Sequence, residues 1–322
     1  MLPVAVDAMG GDKAPDEIIA GAHRATSDFG IPTLLVGRPE TLGVATGLPI
    51  VPASEVIDMS DDPARAVRTM KDSSMVRSAE QVRDGAASAM VSAGNTGAAV
   101  SSALLRMGRI KGVNRPAVAT TLPVPGGTPK ILLDSGAMAD CQASWLHQYA
   151  RMGSVFAKVR YGIEQPRIGL MSIGEEPGKG NALVKETFTL LAGDDTINFI
   201  GNIEGRDVLT GDVDVIVTDG FTGNVVLKTL EGTLQFLIEQ IMGLLLAEDA
   251  QPGGGEALGL LAPLAAEMNP DAVGGAMLLG VKGVCIISHG SSSATAICNA
   301  ISVARDMVEA DLVGALTAAV AD

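Results

Sequence analysis

Few residue types in this chain are equipped for chemistry. Its 322 residues include three histidines (His23, His147, His289) and three cysteines (Cys141, Cys285, Cys298). Neither set has metal-ligand or redox spacing, and an odd cysteine number builds no disulfide framework, so a reduced compartment fits. What remains is a series of short loops rich in Gly, Ser, Thr, Asn and Asp. Asp7-Ala8-Met9-Gly10-Gly11-Asp12 suits a turn whose amides face an anion, and equally a tight turn in which Asp12 caps the next helix. Ser92-Ala93-Gly94-Asn95-Thr96-Gly97 offers small side chains and backbone N–H groups, either to cradle phosphate or to let helix pack on strand. Lys179 stands between Gly178 and Gly180, just before Asn181, so its ammonium and neighbouring amides can converge on one anion. The alternative is a solvated surface lysine. Thr218-Asp219-Gly220-Phe221-Thr222-Gly223-Asn224 and Ser288-His289-Gly290-Ser291 complete the set. A neutral His289 can donate to a developing oxyanion or orient a phosphate, although a lone histidine is also commonly structural. Asp134, Asp140 and Glu175 lack the spacing of a Mg²⁺ site, so no metal is expected.

Each loop follows a short apolar run and precedes a helical pattern. The runs are Val4–Val6, Ala89–Val91, Ile131–Leu133, Ile168–Met171, Val215–Val217 and Val284–Ile287. Unalternating strands separated by helices predict a largely parallel sheet covered on both faces, with the loops gathered into a cleft at one edge. The chain has no G-x-G-x-x-G after its first strand, no P-loop and no G-x-S-x-G elbow, which argues against dinucleotide enzymes, nucleotide hydrolases and serine hydrolases.

Composition narrows the classes further. Hydrophobic residues are 47%, charged residues 19% and aromatics 3%, with net charge −14. That excludes disorder, and the negative field with few stacking rings argues against nucleic acid. The N-terminus Met1-Leu2-Pro3-Val4-Ala5-Val6-Asp7 lacks the basic start of a secretory signal, and the uncharged stretches 85–105 and 283–304 are too polar to span a membrane. A cytoplasmic protein is expected. Residues 1–322 read as one domain, with 224–268 a projecting helical hairpin broken at Pro252-Gly253-Gly254-Gly255. Its first arm repeats Leu230, Leu234, Leu237, Ile241 and Leu245 at helical spacing, the pattern of a core or dimer seam. Its second arm, with Leu258, Leu260, Leu261 and Leu264, suits a membrane interface or an acyl chain. Arg65, Arg68, Lys71, Arg106, Arg109 and Lys111 concentrate positive charge in the middle of an acidic chain, where an acidic partner can dock.

In order, and over nearly the whole length, these motifs resemble the PlsX family of bacterial phosphate acyltransferases. The matching stretches include Val6–Asp12, Ser73-Ser74-Met75, Ser92–Ala98, Arg115-Pro116-Ala117, Leu133–Ala137, Met152-Gly153-Ser154, Lys179-Gly180-Asn181, Thr218–Asn224, Lys228–Gly232 and His289–Ser292. Singly weak, they are specific in combination. The resemblance implies a three-layer α/β/α sandwich like that of isocitrate dehydrogenase and phosphotransacetylase, forming a homodimer. It implies transfer of a long-chain acyl group from acyl carrier protein to inorganic phosphate, without a cofactor. The acyl phosphate would pass to a membrane glycerol-3-phosphate acyltransferase, which makes transient membrane contact part of the expectation. Phosphate is already an anionic nucleophile, so direct attack on the thioester requires only a site that holds two anions together. Lys179, His289 and Asn224 are the expected catalytic residues. Asp7, Gly10, Gly11, Asp12, Asn95, Thr96, Gly97, Asp134, Gly136, Asn181, Thr218, Asp219 and Gly220 are expected to bind phosphate or substrate. The six cations named above are the expected carrier-protein dock. A short-chain phosphotransacetylase, a dehydrogenase of similar architecture and a non-enzymatic acyl-binding adaptor are the competing readings.

Overall fold

The computed structural model describes residues 1–43, 47–246 and 270–320, and between the last two only 259, 261, 263 and 266–268. Among them, eleven strands form one sheet: β1 Val4–Asp7, β2 Thr33–Gly37, β3 Ile50–Pro52, β4 Ala89–Ser92, β5 Ala117–Leu122, β6 Lys130–Leu133, β7 Arg167–Met171, β8 Asn198–Ile203, β9 Val215–Val217, β10 Ala276–Leu279 and β11 Val284–Ile287. Their order is β3-β2-β1-β4-β11-β10-β5-β6-β9-β7-β8. The strands that read as apolar runs are central. Val4, Val6, Ala89, Val91, Val284 and Ile286 pack into the core on one face, and Met90, Cys285 and Ile287 into the core on the other, because successive side chains point to opposite faces. The sheet ends on β3, which carries Pro52 where no ladder partner needs an N–H, and on β8, whose residues are partly exposed.

Helices cover both faces, giving the three-layer sandwich. Helices Asp16–Phe29, Ala143–Tyr161, Ala182–Ala192 and Ala294–Glu309 bury Ile18, Leu146, Leu191 and Ile297 on one side. Helices Pro63–Thr69, Ser74–Arg83 and Thr96–Ser102 bury Val67, Val76 and Ala99 on the other, and helix Gly220–Leu246 packs Val226, Leu227 and Leu230 farther along that face.

Strand direction corrects one expectation. The strands β3, β2, β1, β4 and β11 are mutually parallel. Strand β10 is antiparallel to β11 and to β5, and β5 is antiparallel to β6. From there β6, β9, β7 and β8 are parallel again. Three reversals leave the two halves running oppositely. The loops after β1, β4 and β11 therefore leave one edge, and those after β6, β9 and β7 leave the other, instead of sharing a single edge. Register brings the two sets together at the centre: Ser92 pairs with Ile287, Ala276 with Ile287, Met277 with Ala119 and Ala119 with Leu133. The ends of β4, β11 and β6 thus lie nearly level on either side of β5.

Of the expected hairpin, the first arm is the helix Gly220–Leu246, which starts four residues earlier than the sequence suggested. Leu258, Leu260 and Leu264 and the break at 252–255 lie outside the described residues.

Candidate active site

A cavity of about 910 Å³ opens where the two half-sheets meet. One end is polar. Thr96 comes from the loop after β4, Thr120 from β5, Ser135 and Gly136 from the loop after β6, Gly220 and Asn224 from the first turn of the long helix, and Ser288, His289, Ser291 and Ser292 from the loop after β11. The rest is largely apolar, walled by Leu227, Leu230, Leu234 and Ile238 of helix Gly220–Leu246, with Leu209, Met268 and Val273.

Several donors at the polar end are held in place without being used up. Ser288 is 5% exposed, its amide donates to the Ser92 carbonyl at 2.8 Å, and its hydroxyl has no hydrogen-bond partner. Gly275, with φ +80°, faces that hydroxyl, and a Cβ there would stand 3.1 Å from Ser288 Oγ and 3.0 Å from the Ile287 carbonyl. Next to it, His289 is exposed, with Nδ1 2.8 Å from Ser291 Oγ and 3.3 Å from the Ser291 amide. An amide can only donate, so Nδ1 accepts and the neutral ring carries its proton on Nε2. Ser135 Oγ, by contrast, donates to the Val118 carbonyl at 3.0 Å and so accepts from Thr120 Oγ1 at 2.6 Å, which spends both hydroxyl protons.

Of the residues expected to act here, Thr96, Gly136, Gly220, Asn224 and His289 line the cavity. Others expected here have polar atoms already engaged within the protein. Asp7 is 1% exposed and its carboxylate accepts from Ser92 Oγ at 2.7 Å and from the Met9 amide at 3.3 Å, while burial pushes its pKa above the ordinary aspartate value. Asp134 is fully buried and accepts from the amides of Val118, Gly136, Ala137 and Met138 at 2.7–3.1 Å; burial raises its pKa against the pull of those donors. Asn95 Oδ1 caps helix Thr96–Ser102, and its Nδ2 donates to the Met59 and Asp61 carbonyls, tying down the loop before helix Pro63–Thr69.

The glycines at 10, 11 and 97 admit the protein's own chain. A Cβ at Gly10 would come 2.6 Å from Asp7 Oδ2, at Gly11 3.1 Å from the Ala93 and Gly290 carbonyls, and at Gly97 2.7 Å from Pro63. Asp12 is exposed and caps no helix; its amide donates to the Gly290 carbonyl at 2.8 Å. Thr218 is buried and prolongs the β6–β9 pairing, with its amide on the Leu133 carbonyl. Asp219 caps the long helix through the Thr222 amide and hydroxyl, both at 2.8 Å.

Lys179 and Asn181 do not line the cavity. Both are exposed on the edge shared by the β6 and β9 loops; Asn181 caps helix Ala182–Ala192 through the Val184 amide, and Lys179 makes no ion pair among the described residues. Glu175 lies close to Glu204 and Asp207, but Arg206 already pairs with Glu175 at 3.4 Å and with Glu204.

Sequence reasoning left out Thr120, Ser135 and, on the long helix, Leu227 and Ile238, and it did not single out Ser288 within its loop. The stripe inferred from the sequence shares Leu230 and Leu234 with the cavity wall and departs from it beyond them. Leu237 and Ile241 of that stripe face outward, 47% and 40% exposed.

The cysteines are poor nucleophiles. Burial pushes Cys285 up to about 12 and Cys141 up to about 11, so both are neutral thiols near pH 7. Among the six basic residues, Arg65, Arg68, Lys71, Arg109 and Lys111 are exposed, whereas Arg106 is half-buried with Glu80 at 3.7 Å and is not a free docking charge. Pro63 against Gly97 sets helix Pro63–Thr69, with Arg65 and Arg68, beside the Thr96 side of the cavity. No helix of the described residues is long and apolar enough to cross a membrane.

Residues 2–314 match the family model described as fatty acid synthesis protein. The chain is 45% identical over 321 residues to a phosphate acyltransferase of Nostoc, covering 95% of this chain and 92% of that protein. It is 46% identical over 326 residues to a phosphate acyltransferase of Streptococcus pneumoniae, covering 97% of each. Among solved structures, a phosphotransacetylase from Streptococcus pyogenes superposes with TM-score 0.63 at 17% identity, over 96% of this chain and 94% of that one, a likeness of fold.

Proposed function

Because the chain belongs to the phosphate acyltransferase family and is an acyltransferase, we propose that it moves a long-chain acyl group from acyl carrier protein to inorganic phosphate. The observation that carries this reading is the two-ended cavity, with open donors at one end and an apolar wall leading away from them. In this reading phosphate binds at the polar end, where Ser288, Asn224 and His289 line the cavity and offer donors to anionic oxygen. A phosphate oxygen attacks the thioester carbonyl carbon, and the same donors stabilise the oxyanion that develops. The C–S bond then breaks, the thiolate leaves and takes a proton, and acyl phosphate remains. The raised thiol pKa values favour this direct attack over an acyl-cysteine intermediate.

Lys179 draws phosphate toward the β6–β9–β7 edge. The exposed Arg65, Arg68, Lys71, Arg109 and Lys111 receive the acidic carrier protein. The outward-facing Phe236, Ile241 and Leu244 of the long helix suit a homodimer contact or the edge of a membrane, where a glycerol-3-phosphate acyltransferase takes the product. In this reading the protein is a single-domain, cytoplasmic enzyme that touches the membrane transiently.

The test is to mix the protein with a long-chain acyl-acyl carrier protein, with and without phosphate, and to follow free carrier thiol and acyl phosphate. Phosphate-dependent release of both is expected. In the same assay Lys179→Ala raises the KM for phosphate, and Arg65→Glu with Arg68→Glu raises the KM for the carrier alone. Carrier binding without turnover would leave an acyl-binding adaptor.

A further inference from the structure

The helix Gly220–Leu246 presents two stripes to the cavity. Asn224, Lys228, Glu231, Gln235 and Glu239 form a polar one. Within the helix Lys228 Nζ pairs with Glu231 Oε2 at 2.7 Å, and Gln235 Nε2 donates to Glu239 Oε1 at 2.9 Å. Alongside runs an apolar stripe, Leu227, Leu230, Leu234 and Ile238, spaced three, four and four residues apart and so aligned on one side of the helix.

The apolar stripe begins less than one turn past Asn224, whose side chain packs beside Gly136 at the polar end of the cavity. From Leu227 to Ile238 it advances roughly 17 Å along the axis. Beyond Ile238 and Glu239 no described residue of this helix lines the cavity.

We infer that this stripe is the seat of the acyl chain and that Leu234 and Ile238 are the specificity-determining residues that measure its length. The inference rests on the acyl-transfer reading above. An acyl carbon held at the polar end has one continuous apolar path away from it. Each methylene added to the chain advances one step along that wall until the stripe ends. The neighbouring Leu237 points the other way, 47% exposed, and takes no part.

The experiment measures kcat/KM for a series of acyl-carrier substrates, from short chains to long, in the wild-type protein and in Ile238→Trp, Leu234→Trp and Leu237→Trp. Filling the stripe shortens the preferred chain. Activity on the longest chains falls roughly tenfold or more while the shortest are spared, because a pocket that cannot admit extra methylenes rejects them on that scale. Leu234→Trp, nearer the polar end, cuts to shorter chains than Ile238→Trp. The KM for phosphate stays put, and Leu237→Trp, equal in bulk and on the outer face, keeps the wild-type profile and controls for helix damage. An unchanged profile in both inner variants, or an equal shift in Leu237→Trp, overturns the inference while wild-type long-chain turnover leaves the acyl-transfer reading standing. Wild-type protein that turns over no acyl chain overturns that reading, and this inference with it.

Discussion

Two serines sit at the ends of adjacent strands and meet opposite fates. Ser92 ends β4, and its hydroxyl donates to buried Asp7 at 2.7 Å and accepts from the Gly94 amide at 3.1 Å. Ser288 follows β11, one register step away and bonded through its own amide to the Ser92 carbonyl, yet its hydroxyl is buried without a partner. The same contrast extends to the loops around them. The loops after β1 and β4 have the composition of an anion cradle, but Asp7, Asn95 and the close-packed glycines consume it internally. The loop after β11 and the first turn of the long helix leave Ser288, His289 and Asn224 facing the cavity, whereas the loop after β6 spends its amides on Asp134. Similar composition thus builds a brace on one side and a site on the other. What separates them is whether acceptors within the loops exhaust the donors.

The largest effect belongs to the bracing. Asp134→Ala strands four amides at once, that of Val118 fully buried, and costs about 3–5 kcal/mol of stability, read as a lowered denaturation midpoint. On the open side, His289→Ala leaves the fold intact and lowers kcat by about 100-fold, the scale of one lost oxyanion donor. The serine pair sharpens the contrast. Ser288→Ala lowers kcat roughly tenfold without loss of stability, since its hydroxyl bonds nothing in the free protein. Ser92→Ala costs about 1–2 kcal/mol of stability and leaves the kcat of folded enzyme unchanged. Equal kinetic losses in the two serine variants would break the comparison.

The smallest effect is one of pH. Asp7 has a folded pKa raised by burial, so it holds its proton more tightly folded than unfolded. Its contribution is full below the ordinary aspartate value and is lost as pH rises through the raised one. Asp7→Asn removes that loss, so denaturation midpoints of the variant fall less than wild type between acid and neutral pH.

Much of the fold is legible in the sequence, for physical reasons that also mark where legibility stops. The strands β1, β4, β6, β7, β9 and β11 are short apolar runs ending in turn-forming residues, and buried parallel strands must read that way. Strand direction left no such trace. The reversals at β10, β5 and β6 arise from pairings between segments far apart in sequence, and Ala276–Leu279 looks like any other apolar run. Asp7 and Asp134 were recognisable as polar residues at strand ends, but whether a carboxylate faces a ligand or its own backbone depends on the turn that closes over it. His289 stood out in its Ser/Gly loop, although a lone histidine is commonly structural, and the structure sets it on the cavity wall. The partnerless hydroxyl of Ser288 was not legible, because lacking a partner is a property of packing. On the long helix the leucine recurrence was visible, yet several adjacent apolar positions allowed more than one face, and only the cavity selects Leu227, Leu230, Leu234 and Ile238.

The central claim is that reacting phosphate sits with Ser288 and His289 and not in the loops after β1 and β4. Phosphorus NMR of inorganic phosphate titrated with protein tests it most directly. Saturable broadening in wild type and in Ser92→Ala, abolished in the Ser288→Ala/His289→Ala double variant, is the predicted result. Wild-type binding retained by the double variant would contradict it.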